Sequence, residues 1–181
     1  PRLGSTVLEF QPGSRWAYSP GAGFETLGRI VEIVSGLPLD RFLRTRIFDP
    51  LGMKDITFWP SDAQWPRVAT VYTRSAKGLA KQQMPNDTMS RNVYFRGSGG
   101  LYSTAADYIP LGIMLANGGE LNGKRILSRK TVEMMSAMHV PDTLPGRSAG
   151  EGYGLSVRVV TDHAARGTML STGTFGWSGA Y

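Results

Sequence analysis

The chain has 181 residues, a formal net charge of +6 and no cysteine. This length suffices for one domain with a full hydrophobic core, or for part of a larger one, and the lack of cysteine excludes disulfides and thiolate metal sites. The net charge would permit an anionic partner, but the Lys and Arg residues are scattered and do not alternate with aromatic residues, so we expect no nucleic acid as a partner.

The first predicted helix starts near Phe24 and ends at Gly36, because apolar residues recur there at three- and four-residue steps: Leu27, Ile30, Val31 and Val34. Before it, Pro12-Gly13 predicts a turn, and Trp16 and Tyr18 alternate on a short extended segment. Pro38 opens a second helix that should close before Pro50. Its predicted buried stripe is Leu39, Phe42, Leu43 and Ile47.

The middle of the chain is less regular. Between Thr57 and Gln83 only the segment 67–73 alternates well enough to predict a short strand. The next helix should be capped by Ser103 or Thr104, with Asp107 completing a capping-box pattern. It should end at Asn117-Gly118-Gly119.

The last third begins with a predicted turn at Asn122-Gly123. A helix capped by Ser128 should then run to Met138. Alternation predicts one strand from Tyr153 to Val160, and a closing strand lies within 169–181.

Several of these stretches resemble one protein family. The segments 12–19 (PGSRWAYS), 46–53 (RIFDPLGM), 97–108 (GSGGLYSTAADY) and 177–179 (WSG) are similar to the serine β-lactamase and penicillin-binding-protein superfamily, in particular to family VIII carboxylesterases and their class C β-lactamase relatives. The resemblance covers nearly the whole chain. It implies an α+β fold in which a helical layer, about 20–150, packs on an antiparallel sheet whose strands lie in 151–181, with the fold present only in part.

The resemblance also implies a site. Tyr18 would be the general base and acid, beside a Lys ammonium that favours its phenolate form. Trp177, Ser178 and Gly179 would shape the substrate cleft, and the Ala180 N–H would donate into the oxyanion hole. By position alone, Tyr18 would more simply be a rim aromatic with its hydroxyl satisfied, and 177–179 a glycine-containing strand.

The family's nucleophile motif, Ser-x-x-Lys, is missing from the chain. Ser75-Ala76-Lys77 has the wrong spacing. We therefore expect the nucleophile to lie N-terminal to Pro1, on a missing N-terminal segment of the same protein that acts as a partner of this chain, or on a separate chain. The sequence is equally consistent with a protein that turns over nothing.

Three other patterns are interpreted as chance. Gly146 to Gly150 has the spacing of a nucleophile elbow, but prolines precede it where a buried strand is needed. His139 and His163 lie in no triad-like or metal-binding pattern. We expect no metal and no cofactor.

Two departures from the family pattern bear on the substrate. Pro20 replaces an amide, and Trp177 replaces a cation that would bind a carboxylate. Both favour a neutral small-molecule ester over a β-lactam. Open alternatives are a β-lactamase or D-alanyl carboxypeptidase, a non-catalytic binding protein and, least favoured, a basic nucleic-acid-binding module. No apolar run is long enough for a membrane span, so we expect no membrane partner; a cytoplasmic and a periplasmic location both stay open.

Overall fold

The computed structural model describes residues 3–19, 21–82 and 94–179. They form two compact units, which we call the terminal unit (3–19 with 114–179) and the central unit (21–82 with 94–113). Helices and short antiparallel strands occur together in the described residues, so the predicted α+β class is confirmed. The division into a helical layer and later strands stays a prediction.

Helix α1 of the central unit covers Ala22–Ser35. It ends as predicted, because Gly36 adopts a left-handed conformation and donates its N–H to the Glu32 carbonyl. Its apolar stripe is not buried within the unit: Val34 is 81% exposed, and Leu27 and Ile30 are about half exposed.

The second helical segment is longer than predicted. Helix α2 covers Leu39–Leu43, a π-helical turn covers Arg44–Phe48, and α3 covers Asp49–Leu51. The prediction that it closes before Pro50 is wrong, because a proline in a first turn needs no N–H partner. The wider π turn shifts the helical register, so Phe48 and Leu51 are buried with Leu39, whereas the predicted Phe42, Leu43 and Ile47 are only half-buried.

A hairpin follows, in which β1 (Tyr72–Ser75) pairs antiparallel with β2 (Gly78–Lys81). The strand predicted over 67–73 begins too early, because Trp65–Arg67 form a 3₁₀ turn. Arg67 is held there by Asp55, to which both of its terminal nitrogens donate at 3.0 and 2.7 Å.

Helix α4 covers Ala105–Ala116. Thr104 caps it as predicted, since its Oγ1 accepts the Asp107 N–H at 3.1 Å. The Asp107 carboxylate, however, forms its described hydrogen bonds outside the helix. It accepts the N–H groups of Asp55 and Ile56 at 2.5 and 3.0 Å. A residue predicted to complete a local cap thus connects two distant segments of the central unit.

In the terminal unit, β3 (Glu120–Leu121) and β4 (Lys124–Arg125) form a hairpin. Asn122 and Gly123 both have positive φ, at 50° and 74°, which confirms the predicted turn. Helix α5 covers Arg129–Ser136, and its predicted cap is confirmed, because Ser128 Oγ accepts the Thr131 N–H. The helix ends two residues before the predicted Met138.

The sheet of this unit has the order β5 (Glu151–Tyr153), β6 (Arg158–Val160) and β7 (Phe175–Gly176), all antiparallel. The single strand predicted from Tyr153 to Val160 is wrong: Gly154 donates to the Val157 carbonyl, which closes a turn between two strands. Helix α6 (His163–Arg166) connects β6 to the segment before β7. The core contains Tyr153, Val159 and Val160.

Candidate functional site

The segment that carries Tyr18 is anchored through Trp16. The Trp16 N–H donates to the Pro145 carbonyl at 2.9 Å. Gly146, the residue after Pro145, has a positive φ of 92°, and a Cβ there would lie 2.2 Å from the Trp16 carbonyl oxygen. Only glycine permits this approach, so the two segments fix each other.

The Trp16 ring adds a second anchor. It stacks on the Tyr153 ring with the centroids 4.0 Å apart and the planes 18° from parallel. Tyr153 is itself buried in β5, with 5% of its surface exposed. An aromatic pair of this kind contributes about 0.5–1.5 kcal/mol beyond the burial of its surface.

The structure brings Tyr18 and Trp177 together. Their rings stack with centroids 5.5 Å apart and planes 15° from parallel. Both remain accessible, with Tyr18 55% and Trp177 43% exposed. With Trp16 and Tyr153, whose ring lies 6.3 Å from that of Trp177, they form what we call the aromatic cluster.

The other predicted site residues lie at the sheet edge or outside the described residues. Trp177, Ser178 and Gly179 directly follow β7, the strand that pairs with β6 on one side of the three-stranded sheet. Ser178 and Gly179 are exposed. Ala180, the predicted oxyanion-hole donor, and Pro20, one of the two departures from the family pattern, are outside the described residues.

A buried carboxylate supports this edge. Glu151 is 6% exposed, and its Oε1 accepts from Arg166 Nε at 2.6 Å and lies 3.6 Å from Arg158 Nη1. Its Oε2 accepts the Tyr153 hydroxyl at 3.2 Å. Burial and then the adjacent Glu151 carboxylate raise the pKa of Tyr153, so this hydroxyl stays a donor.

Arg158 connects the Glu151 carboxylate to residues 177–179 (WSG), which we call the third motif. Its guanidinium carbon lies 4.9 Å from the centre of the Trp177 ring, and its Nη2 donates to Ser178 Oγ at 2.5 Å. The sequence reasoning missed Glu151, Tyr153 and Arg158. Only the alternation of 153–160 pointed to this stretch, and alternation predicts a strand but assigns no function to its side chains.

The patterns set aside from the sequence do not form a second site. The segment 146–150 is a loop that leads into β5, and no helix follows it, as an elbow requires. A ring nitrogen of His139 lies 2.7 Å from the Met134 carbonyl oxygen. Within the described ranges, no three His, Asp or Glu side chains are grouped as a metal site, and no helix there has the length and apolar character to cross a membrane.

The central unit holds a separate polar cluster around Glu25. This carboxylate accepts from Ser98 Oγ at 2.5 Å, from the Tyr94 hydroxyl and from the Gly97 N–H at 3.3 Å. Arg96 Nε lies 3.4 Å away. Partial burial would raise the pKa of Glu25, but the hydrogen bonds from Ser98, Tyr94, Arg96 and Gly97 outweigh it and lower the pKa.

The central unit also contains a cavity of about 140 Å³. It is lined by charged and aromatic residues, among them Asp40, Arg44 and Trp59, and by none of the predicted site residues. The aromatic cluster with its edge strand therefore remains the candidate site. An accessible phenol beside an edge strand could exchange a proton with a substrate placed along that strand.

Known proteins are similar to nearly the whole of this chain. Protein Rv1367c of Mycobacterium tuberculosis is 33% identical over 190 residues, which cover 99% of this chain and 47% of that protein. Esterase EstB of Burkholderia gladioli is 28% identical over 198 residues, covering 99% of this chain and 48% of the esterase. The chain thus spans about half the length of the curated relatives it matches.

Among solved structures, the fold is similar to that of EstCE1, described as a hydrolase with promiscuous acyltransferase activity. The TM-score is 0.78 at 24% identity, over 93% of this chain and 46% of that one. The relatives also include D-alanyl carboxypeptidase-like proteins. The family model described as Beta-lactamase matches residues 2–181, and the chain therefore belongs to the Beta-lactamase family.

Proposed function

We propose that this chain supplies the general base and the substrate-binding edge strand of a serine hydrolase that cleaves carboxylic esters through an acyl-enzyme intermediate. In this proposal Tyr18 takes the proton of the serine hydroxyl and returns it to the leaving alcohol. Trp177, Ser178 and Gly179 line the substrate cleft, and the Ala180 N–H stabilises the oxyanion. The nucleophile, in Ser-x-x-Lys, is supplied by a segment outside these 181 residues.

One observation carries the proposal: the Tyr18 and Trp177 rings stack although 158 residues separate them in the chain. Both rings are accessible, which a proton-transfer group and a cleft wall need. The alternative of an ordinary rim aromatic explains an exposed tyrosine, but it does not explain why its partner is the tryptophan of the third motif.

The substrate class is supported by the relatives and by position 177. EstB is an esterase by name, and a tryptophan at 177 offers no cation of its own to a β-lactam carboxylate. Because D-alanyl carboxypeptidase-like proteins are also relatives, the assay must separate the two classes.

The test uses a protein that joins this chain to a Ser-x-x-Lys segment. We expect it to hydrolyse p-nitrophenyl butyrate faster than a chromogenic cephalosporin and faster than a peptide ending in D-alanyl-D-alanine. Tyr18→Phe should lower kcat about 100-fold or more, because it removes the base and leaves the ring stack.

Tyr108→Phe is the matched control, since Tyr108 is 61% exposed and belongs to no proposed site. It should retain wild-type kcat. Faster hydrolysis of the cephalosporin would contradict the ester preference and favour a β-lactamase. Equal activity of Tyr18→Phe and wild type would show that Tyr18 is not the general base.

A further inference from the structure

The third motif is held by one side chain that does not belong to it. Arg158 lies on β6, where it is the Cα partner of Gly176 on β7. From there its guanidinium reaches past the end of β7 to the Trp177 ring and to the Ser178 hydroxyl. It therefore contacts two consecutive residues of the proposed cleft.

These two contacts restrain different atoms. The cation over the ring face fixes the orientation of the indole, and the hydrogen bond to Ser178 Oγ fixes the chain one residue further on. Trp177 and Ser178 lie beyond the last ladder pair of β7, which is Arg158 with Gly176. Side-chain contacts therefore have to supply the restraint that the ladder no longer gives.

The guanidinium also forms an ion pair with Glu151, whose Oε1 lies 3.6 Å from Arg158 Nη1. Because Glu151 is buried and also accepts the Tyr153 hydroxyl, it stays in place as a counter-ion. Rotation of the Arg158 head would leave a buried carboxylate with one partner fewer, which is costly.

We propose that Arg158, oriented by Glu151, is a positioning residue that fixes the Trp177 ring against Tyr18 and holds Ser178 in place. The proposal rests on the proposed ester hydrolysis for its kinetic consequence. Its structural consequence, a fixed Trp177 ring, does not depend on any activity.

The experiment compares Arg158→Met with Arg166→Met in the same full-length protein. Both substitutions remove one guanidinium from the same carboxylate, but only Arg158 contacts the third motif. For Arg158→Met we expect kcat on p-nitrophenyl butyrate to fall about tenfold with KM within about twofold, because misplacement of a cleft wall weakens the transition state more than binding. Arg166→Met should keep kcat within about twofold while its Tm falls.

A spectroscopic arm separates this proposal from the proposed function. The near-UV circular dichroism band assigned to Trp177 by Trp177→Phe should lose most of its intensity in Arg158→Met and keep it in Arg166→Met. Arg158→Lys, which retains the cation, should restore part of both the band and kcat, and its far-UV spectrum establishes that it folds.

If no ester is hydrolysed by the wild type, the proposed function fails, and the Trp177 band alone decides the positioning role. An unchanged band in Arg158→Met, or equal losses of band and kcat in both arginine variants, would overturn the inference.

Discussion

Glu25 of the central unit and Glu151 of the terminal unit are both carboxylates surrounded by hydrogen-bond donors, but they connect different parts of the molecule. Glu25 joins the start of α1 to the glycine-rich segment around Gly97, and its donors are mainly hydroxyl and backbone groups. Glu151 is more deeply buried, binds two guanidinium groups, and is linked through Arg158 and Tyr153 to the aromatic cluster. A hydrogen-bonded carboxylate thus stabilises the scaffold in the central unit and the candidate site in the terminal unit.

The difference in burial sets an order of expected effects. The Glu25 side chain keeps 19% of its surface exposed, against 7% for Glu151. Water can replace part of the lost contacts at Glu25, whose charged partner Arg96 is 43% exposed, whereas the partners of Glu151, Arg166 and Arg158, are 25% and 29% exposed. Removal of the Glu151 carboxylate should therefore lower the free energy of unfolding more than removal of the Glu25 carboxylate. It should also displace residues of the candidate site.

The largest effect is expected for Glu151→Ala. It leaves the Arg158 and Arg166 charges without their buried partner, so we predict a loss of about 3–5 kcal/mol in the free energy of unfolding. Urea denaturation followed by tryptophan fluorescence measures it. Glu25→Ala in the same assay should lose about 1–2 kcal/mol, and a larger loss for Glu25→Ala than for Glu151→Ala would reverse the comparison.

A second prediction concerns the anchor of the Tyr18 segment. Gly146→Ala should destabilise the protein by about 1–3 kcal/mol more than Gly173→Ala, because overpacking against the Trp16 carbonyl forces the backbone to move. The two glycines have similar positive φ, 92° and 90°, but nothing lies within 4 Å of a Cβ at Gly173. Gly173→Ala therefore isolates the conformational cost that both share. Equal stabilities of the two variants would show that the approach to Trp16 does not constrain the segment.

The smallest effect on the free energy of unfolding is expected from the titration of Glu25. Its folded-state pKa is lowered below the ordinary value of 4.5. Its contribution to stability is therefore complete above about pH 4.5, the unfolded-state value, and is lost as the pH falls through the folded-state pKa. Glu25→Gln should remove about 1 kcal/mol at pH 7 and make the loss of stability below pH 4.5 shallower.

Urea denaturation at a series of pH values measures this slope. Glu133→Gln is the control, because the Glu133 side chain is 50% exposed in a surface ion pair and should leave the slope unchanged. An acid slope in Glu25→Gln as steep as that of the wild type would contradict the prediction.

Local signals predicted several ends of elements correctly, although helices did not end at the predicted Pro50 and Met138. Gly36 as a helix stop, Asn122-Gly123 as a hairpin turn, and Thr104 and Ser128 as caps are each decided by the conformation or side-chain bond of one or two residues. Such signals are present in the sequence itself.

Features that depend on tertiary contacts were not predictable in the same way. The π turn over Arg44–Phe48 moves the buried positions of the second helix, and nothing in the apolar spacing marks it. Asp107 has the spacing of a capping box, but its carboxylate binds N–H groups about fifty residues away. Tyr153 to Val160 alternates like one strand, and the turn that divides it appears only when two strands pair.

For the candidate site, the sequence predicted the two aromatic residues but not the residues that support them. Tyr18 and Trp177 were predicted from the resemblance, and their rings do meet. Glu151 and Arg158 carry no motif, because a positioning pair is defined by whom it contacts rather than by spacing along the chain.

The most direct test of the central claim is a crystal structure of the full-length protein after inactivation with a fluorophosphonate, which labels an activated serine. The account predicts that the labelled serine belongs to a Ser-x-x-Lys segment, and that its Oγ lies about 3 Å from the Tyr18 hydroxyl with Trp177 against the bound inhibitor. A labelled serine out of reach of Tyr18, with another group beside its Oγ, would contradict it.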